Sequence, residues 1–393
     1  MSEATLYYNM RQLNDTFEVF QERAWFVVIN GRIVERGVGG SLPDRADKVN
    51  MYNGYVMPGL INCHTHITLN PNDPLLLEKQ VSIPHLTKIA LDNLAELLTA
   101  GVTFFRDLGA PYDIDIEIKK LIDRGELTAP DAVVSGTPIV MTGGHGYQLG
   151  IESDGVAEVI KHTRQLLKKG VGCIKLMATG GVMTKGETPH DLQLSFAEMQ
   201  AAVTEARHKG IHTAAHAQGL SGVKLAIQAG VDSIEHGVYL DDEAIELFLE
   251  NGTYLCPTLA APYFIVKEGE QHQIPSYMVE KSKAMLDVHR HSLAKAITAG
   301  VKIVLGTDAG TPFNFFKHTP FELKLLVDCG MSTSEALKAA TIYGAELMGI
   351  EQDFGKLIVG SYADFLVLAE NPLDNIEVLM KEKQVYKKGK RYK

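Results

Sequence analysis

The sequence lacks the features of a disulfide-stabilised, membrane-spanning or nucleic-acid-binding protein. Its four cysteines lie far apart and form no CxxC pair, which argues against a disulfide framework or a structural zinc knuckle. No apolar run approaches the roughly 18 residues that span a bilayer, and the first residues do not resemble a signal peptide. Acidic residues outnumber basic ones by 48 to 38, a net charge of −10, which disfavours nucleic-acid or anionic-membrane partners. We therefore expect a cytoplasmic protein with reduced cysteines.

An alternation of strand and helix patterns runs through most of the 393 residues. Helix-ending glycines precede several of the apolar runs, as in AGVTFF and KGIHTAAH. The predicted strands are 60–67, 102–109, 132–139, 173–180, 211–217, 232–237, 253–259 and 302–310. An open doubly wound sheet would also alternate. However, eight strands, each followed by a helical stretch, over about 250 residues favour an α/β fold of the (β/α)8 TIM-barrel type.

The two ends of the chain have a different pattern of short strand-like pieces broken by Gly, Pro and Asp. Neither end is long enough for its own core, so we expect residues 1–57 and 348–393 to combine into one small β-sandwich domain beside a barrel at 58–347. The longest predicted connection, 260–300, contains a predicted helix at 276–299 that could cover the mouth of the barrel.

The stretch CIKLMATGG, Cys173–Gly181, places a single lysine in an apolar run that is typical of a buried strand. Lysine is almost never fully buried without a partner, because an unpaired ammonium there is costly. Burial lowers the pKa of a lysine and leaves a neutral amine. Such an amine can add carbon dioxide, and the resulting carbamate can bridge two divalent metals. The alternative is that Lys175 extends to solvent.

Ligand-type side chains recur at the C-terminal ends of the predicted strands, where the active sites of such barrels lie. The set is His64, His66, Lys175, His216, His236 and Asp308. His64 and His66 share one face of their strand, because alternate residues of a strand point the same way. An HxH pair alone is weak, but this distribution over strands one, four, five, six and eight indicates a metal site.

Six motifs together resemble the amidohydrolase superfamily: VMPGLINCHTHI, GGHG at 143–146, CIKLMATGG, AAHAQG, IEHG and VLGTDAG. The resemblance is greatest to its prolidase-like branch of metal-dependent dipeptidases and carboxypeptidases, which includes ochratoxin-hydrolysing enzymes. It covers nearly the whole chain, and YADFLVLAENPL at 362–373 is typical of the C-terminal part of such enzymes. The terminal segments match their composite β-sandwich.

The resemblance implies a binuclear metal site and a role for each ligand. His64, His66 and Asp308 would hold the more buried metal, His216 and His236 would hold the second, and carboxylated Lys175 would bridge the two. Zinc is the usual metal of the family, although imidazole and carboxylate ligands also suit manganese, cobalt or iron. Asp308 would carry a proton from the attacking water to the leaving nitrogen.

The resemblance also implies that two further residues contact the substrate carbonyl or its terminal carboxylate. These are His145, in the glycine-rich TGGHG loop, and Tyr239, in EHGVYL. A loop-stabilising hydrogen bond is the alternative role for His145. For Tyr239 the alternative is to cap the following helix.

The predicted function is hydrolysis, by metal-bound hydroxide, of an amide or peptide bond next to a free carboxylate. The substrate would be a small molecule, a dipeptide or an N-acyl amino acid. A cyclic-amide hydrolase of the hydantoinase or dihydroorotase kind shares the bridging lysine and is the alternative. A deaminase is less favoured, because Gln218 stands where such enzymes carry glutamate and Lys175 would have no role. A metal-binding scaffold would not need Asp308. Similar enzymes often assemble, so we expect a homo-oligomer.

Overall fold

The computed structural model describes residues 4–44, 47–269, 271–272 and 274–392. Parts of two predicted regions lie outside the described residues. In the terminal segments these are residues 1–3, 45–46 and 393, and in the 260–300 connection they are residues 270 and 273. The β-strands are β1 Thr5–Leu13, β2 Phe20–Ile29, β3 Arg32–Val38, β4 Asp47–Asn50, β5 Tyr55–Pro58, β6 Leu60–Thr65, β7 Val102–Asp107, β8 Asp131–Val134, β9 Ile139–Val140, β10 Ile151–Glu152, β11 Cys173–Met177, β12 His212–Ala217, β13 Ser233–His236, β14 Tyr254–Cys256, β15 Phe365–Leu368, β16 Gln384–Lys387 and β17 Lys390–Arg391.

Helices occupy most of the chain between the parallel strands. The α-helices are α1 Ile83–Ala100, α2 Ile114–Asp123, α3 Val156–Lys169, α4 Phe196–Arg207, α5 Leu220–Ala229, α6 Asp242–Asn251, α7 Ala260–Gly269, α8 Ser276–Ala299, α9 Thr319–Asp328, α10 Thr333–Ala339 and α11 Ile342–Met348. Short 3-10 helices lie at Leu76–Glu78, Pro111–Asp113, Phe316–His318 and Ile376–Met380. None of the helices in the described ranges combines the length and the apolar character needed to cross a membrane.

Strands from both ends of the chain form one eight-stranded sheet in the order β17-β16-β15-β5-β1-β2-β3, with β4 parallel to β1. The two ends meet where β5 pairs antiparallel with β15. Aromatic rings fill the centre of the core of this sheet. Phe365 stacks on Tyr386 with ring centroids 4.3 Å apart, and Tyr7 and Phe26 contact the edge or face of Phe365 at 5.4 and 5.2 Å. This arrangement agrees with the predicted pairing of the two ends.

The parallel strands carry the candidate site. They form a three-stranded sheet, β6-β7-β8, and a six-stranded sheet, β10-β9-β11-β12-β13-β14. Seven of the predicted strands therefore exist, and most end a few residues earlier than predicted. These strands consist largely of apolar residues because both faces of a parallel sheet are covered by other parts of the protein. The predicted glycine signals also hold, since Gly101 and Gly300 end α1 and α8 with left-handed backbone, φ 98° and 86°.

The eighth predicted strand, 302–310, is not a regular strand. It makes only isolated bridges, between Ile303 and Leu255 and between Ala309 and Thr65. The chain turns at Asp308, whose φ is +55°, and at Gly310, whose φ is +109°, so an extended ladder cannot continue there. The predicted strand 132–139 is also interrupted, because the chain leaves the sheet after β8 and pairs again only at β9.

The predicted helix 276–299 is confirmed with the same bounds as α8. This helix packs over the candidate site rather than beside the sheet. Its buried residues include Met278, Met285 and His289, which line the cavities described below.

Candidate metal centre

Three of the predicted ligands meet where β6 ends. His64 lies within β6, His66 follows its last residue, and the backbone N–H of Asp308 donates to the carbonyl oxygen of His64 at 2.9 Å. The Oδ1 of Asp308 lies 3.4 Å from Nε2 of His64 and 3.3 Å from Nε2 of His66. These three atoms are close enough to one another to share one metal ion.

Two more predicted ligands stand on the neighbouring strands. His216 lies on β12 and His236 ends β13, and their ring centroids are 4.6 Å apart. The ring of His236 is 5.2 Å from that of His64, so the two groups of ligands are contiguous. His236 has φ +76°, a backbone conformation uncommon for a residue with a side chain. Such strained backbone occurs preferentially at functional sites.

Each of these histidines uses one ring nitrogen for a protein contact and leaves the other available. The contacts join His64 Nδ1 to Glu235 Oε2 at 2.8 Å, His66 Nδ1 to the Gly109 carbonyl at 3.1 Å, His236 Nδ1 to Thr258 Oγ1 at 2.6 Å, and His216 Nε2 to the Gly180 carbonyl at 3.1 Å. Burial lowers the pKa of His66 to about 3 and holds the pKa of the other three well below the usual range. The rings are therefore neutral, which is the form that binds metals.

Lys175 lies on β11 and is 1% exposed. Its Nζ makes no hydrogen bond or ion pair with any residue that the structure describes. Lys175 lines the larger of the two cavities described below. Burial lowers the pKa of Lys175, although Glu235 and Asp308 act against that shift. Burial also raises the pKa of Asp308 to about 7, against the effect of Lys175. The amine is thus enclosed at the site and does not extend to solvent.

Sequence reasoning missed a buried ion pair behind the candidate ligands, formed by Glu235 and Arg106. Arg106 Nη2 donates to Glu235 Oε1 at 2.8 Å, and both side chains are fully buried. Arg106 Nε also donates to the Cys63 carbonyl at 2.6 Å, and Ser233 Oγ donates to Glu235 Oε1 at 2.6 Å. The signal was present in DSIEHG, where a lone glutamate interrupts a buried strand in the same way as Lys175 interrupts CIKLMATGG.

Two adjoining cavities open onto these ligands. Counted together with the open solvent at its mouth, the larger holds about 850 Å³ and the smaller about 420 Å³. Residues that line both are His145, Met183, His216, His236, Asp308 and Thr311. Within the described residues, the basic side chains lining either cavity are histidines and Lys175. Apolar residues such as Leu75 and Met278 line much of the remaining surface.

The two predicted substrate-contacting residues lie in different positions. His145 lines both cavities, and its ring stacks on His216 with centroids 4.1 Å apart. Tyr239 lines neither cavity in the described chain. Its ring lies 4.5 Å from that of His190, and its backbone N–H donates to the Gln218 carbonyl at 3.1 Å. Substrate contact by Tyr239 therefore stays a prediction.

The donor set fits divalent metal ions. It offers neutral imidazole nitrogens, one carboxylate and an unpaired amine at the C-terminal ends of parallel strands, beside a cavity large enough for a small molecule. Fold and site together define an α/β protein with the features of a metal-dependent hydrolase.

Comparisons with known proteins specify this class further. Residues 55–392 match the model of the amidohydrolase family, and the chain belongs to that family. Ochratoxinase of Aspergillus niger is 32% identical over 375 residues, covering 86% of this chain and 75% of that protein. A solved structure of a Xaa-Pro dipeptidase with methionine bound in its active site superposes with a TM-score of 0.92 at 30% identity, covering 99% of this chain and 100% of that one.

A crystal structure of A. niger ochratoxinase superposes with a TM-score of 0.88 at 28% identity, covering 100% of this chain and 96% of that chain. These relatives place the protein in the prolidase-like branch that the motifs predicted. The protein is a hydrolase that acts on amide bonds.

Proposed function

We propose that this chain is a binuclear metal-dependent hydrolase that cleaves the amide or peptide bond next to a free carboxylate, in a dipeptide or an N-acyl amino acid. One observation carries the proposal. Neutral histidines, each with one ring nitrogen in a protein contact and the other facing the site, lie near Asp308 and the unpaired Lys175. The Xaa-Pro dipeptidase and ochratoxinase relatives support the reaction class.

We assign His64, His66 and Asp308 to one metal and His216 and His236 to the other, with zinc as the expected ion. Once deprotonated, the amine of Lys175 would add carbon dioxide, forming a nitrogen–carbon bond and releasing a proton, and the resulting carbamate would serve both metals as a shared ligand. Bound divalent ions would supply a water of lowered pKa and polarise the scissile carbonyl.

Asp308 and His145 perform the remaining tasks in this scheme. The Asp308 carboxylate lies beside the ligands and lines both cavities, so it can accept a proton from the attacking water and return it to the leaving nitrogen. An amide nitrogen leaves only when it is protonated, so this transfer is required. His145 faces the same space and would contact the substrate carbonyl or carboxylate.

We further propose that the parallel strands close into a (β/α)8 barrel, and that the terminal β domain is bounded near residues 57 and 348. Hydrogen bonds between segments support closure. The Gly172 N–H donates to the Val134 carbonyl at 3.0 Å, Leu255 N–H to the Lys302 carbonyl at 2.9 Å and Cys63 N–H to the Leu305 carbonyl at 2.7 Å. A crystal structure of the metal-loaded protein tests this arrangement.

Metal content and a substrate library test the function together. We expect near two metals per chain in the wild type, a sharp decrease in Lys175→Ala purified identically, and hydrolysis of some dipeptides or N-acyl amino acids that a chelator abolishes. Cyclic amides in the same library distinguish the hydantoinase-like alternative. A metal-replete protein that hydrolyses no member of the acyclic set would overturn the proposal.

A further inference from the structure

His145 is held from three directions, by two residues of the segment that follows β11 and by one ring on β12. Its backbone N–H donates to Gln193 Oε1 at 2.9 Å, and its Nδ1 forms a very short contact with Glu187 Oε1. Its ring is stacked on His216. The Nδ1 nitrogen is thus committed to Glu187, and Nε2 is the ring nitrogen left for the cavities that His145 lines.

Glu187 is itself fixed rather than free to rotate. Its Oε1 also accepts the backbone N–H of Gly181 at 2.8 Å, and its Oε2 accepts from Gln193 Nε2 at 2.9 Å. The side chain is only 10% exposed. Because Gln193 binds both Glu187 and the His145 backbone, the three residues form a closed hydrogen-bond network.

The backbone at Gly181 packs directly against the imidazole. A Cβ atom there would lie 2.4 Å from Cε1 of His145, which is closer than two non-bonded carbon atoms can approach. On the other side, Lys281 of α8 donates from Nζ to the carbonyls of Gly181 and Thr184 at 2.9 and 2.8 Å. The segment that carries Glu187 is therefore anchored both to the ring and to the helix above the site.

We propose that Glu187 is a positioning residue that fixes the ring of His145 with Nε2 directed at the substrate. The inference rests on the proposed function and deepens it. Apart from Lys175, histidines are the basic side chains around the cavities in the described chain, and His145 is one that the assigned ligand set leaves available for a substrate carboxylate. A ring held by a fixed partner loses little further freedom on binding, which favours both binding and reaction.

A double-mutant cycle tests the coupling. Against a substrate from the library, we expect kcat/KM to decrease about 100-fold in Glu187→Ala and about 10-fold in Glu187→Gln, which keeps an acceptor for Nδ1–H. In a His145→Ala background, Glu187→Ala should cause less than a twofold further decrease, because the residue it positions is gone. An unchanged 100-fold loss in that background would overturn the proposal.

A second measurement does not depend on activity. In the metal-loaded wild type, we expect a downfield imidazole N–H resonance in the proton NMR spectrum that is absent in His145→Ala and in Glu187→Ala. If the resonance persists in Glu187→Ala, the proposal is wrong even when the enzyme is active. If the library reveals no hydrolysis, the proposed function fails while this spectrum still decides the positioning.

Controls separate positioning from general damage. Metal content should be unchanged in both Glu187 variants, because neither Glu187 nor His145 is in the assigned ligand set. Glu205→Gln is the matched control, since its side chain is 14% exposed and pairs with Arg164 on the outer helices. We expect that variant to retain wild-type kcat/KM and the downfield resonance, and loss of either there would contradict the assignment to Glu187.

Discussion

His64 donates its Nδ1 proton to Oε2 of Glu235 across 2.8 Å, and both side chains are buried in the centre of the parallel strands. Glu235 receives a second strong contact from Arg106 at 2.8 Å. This chain of contacts sets the tautomer of His64 and directs its Nε2 toward Asp308 and His66. A carboxylate behind a metal-binding histidine also raises the basicity of the ligand.

Glu235→Gln should weaken metal binding without removing a ligand. We expect about a 10- to 100-fold decrease in metal affinity, because the neutral amide no longer polarises or orients His64 as strongly. Competition with a chromogenic chelator measures it. Ser233→Ala removes one hydrogen bond from Glu235 and leaves the charge pair intact, so it should give a smaller decrease. Equal metal retention in Glu235→Gln and wild type would contradict the role.

Gly181→Ala should impair activity through His145. The added methyl group would lie 2.4 Å from Cε1 of His145, so either the ring or the segment that carries Glu187 must move. We expect kcat/KM to decrease at least about 10-fold, since small displacements at a reacting centre are costly. Metal content measured on the same sample should be unchanged. A variant with wild-type kcat/KM would show that the ring position is not important.

The sequence predicted candidate ligands that the structure brings together, but it did not predict the residues that contact them. His64, His66 and Lys175 stand out because polar groups in apolar strands are costly and therefore conspicuous. Glu235 contacts a residue 171 positions away, and Glu187 lies in the polar stretch TKGETP, which is typical of an exposed loop. Such pairings depend on tertiary packing that no local pattern encodes. The irregular eighth strand was missed because one aspartate is too weak a signal to predict left-handed backbone at Asp308.

Phe365→Ala should destabilise the β-structure built from the two ends of the chain. Phe365 is fully buried and contacts Tyr7, Phe26 and Tyr386. Its truncation should lower the free energy of unfolding by about 3–5 kcal/mol, because transfer and cavity costs add. Denaturant unfolding monitored by circular dichroism measures this change. Val359→Ala, at a side chain that is 57% exposed, should change it by less than about 0.5 kcal/mol. Equal stability of the two variants would mean that the aromatic core around Phe365 does not contribute to the free energy of unfolding.

The buried Glu322 should make stability depend on pH. Its two oxygens accept the backbone N–H groups of Leu259 and Ala260, each at 2.7 Å, and burial raises its pKa from 4.5 to about 8. The folded state therefore binds more protons than the unfolded state between these values, and raising the pH through that window lowers the free energy of unfolding.

The side chain of the Glu322→Gln variant cannot ionise, so its stability lacks this pH dependence. The difference in melting temperature, wild type minus variant, should therefore fall as the pH rises from about 5 to about 8 and then level off. Differential scanning calorimetry of metal-loaded samples across this range measures the difference. The exposed Glu250 on α6 provides the control, because Glu250→Gln should give a difference that does not fall in this way. A pH-independent difference for Glu322→Gln would show that the carboxyl group is already ionised in the folded protein at acid pH. In that case its two backbone contacts, rather than burial, would determine its charge.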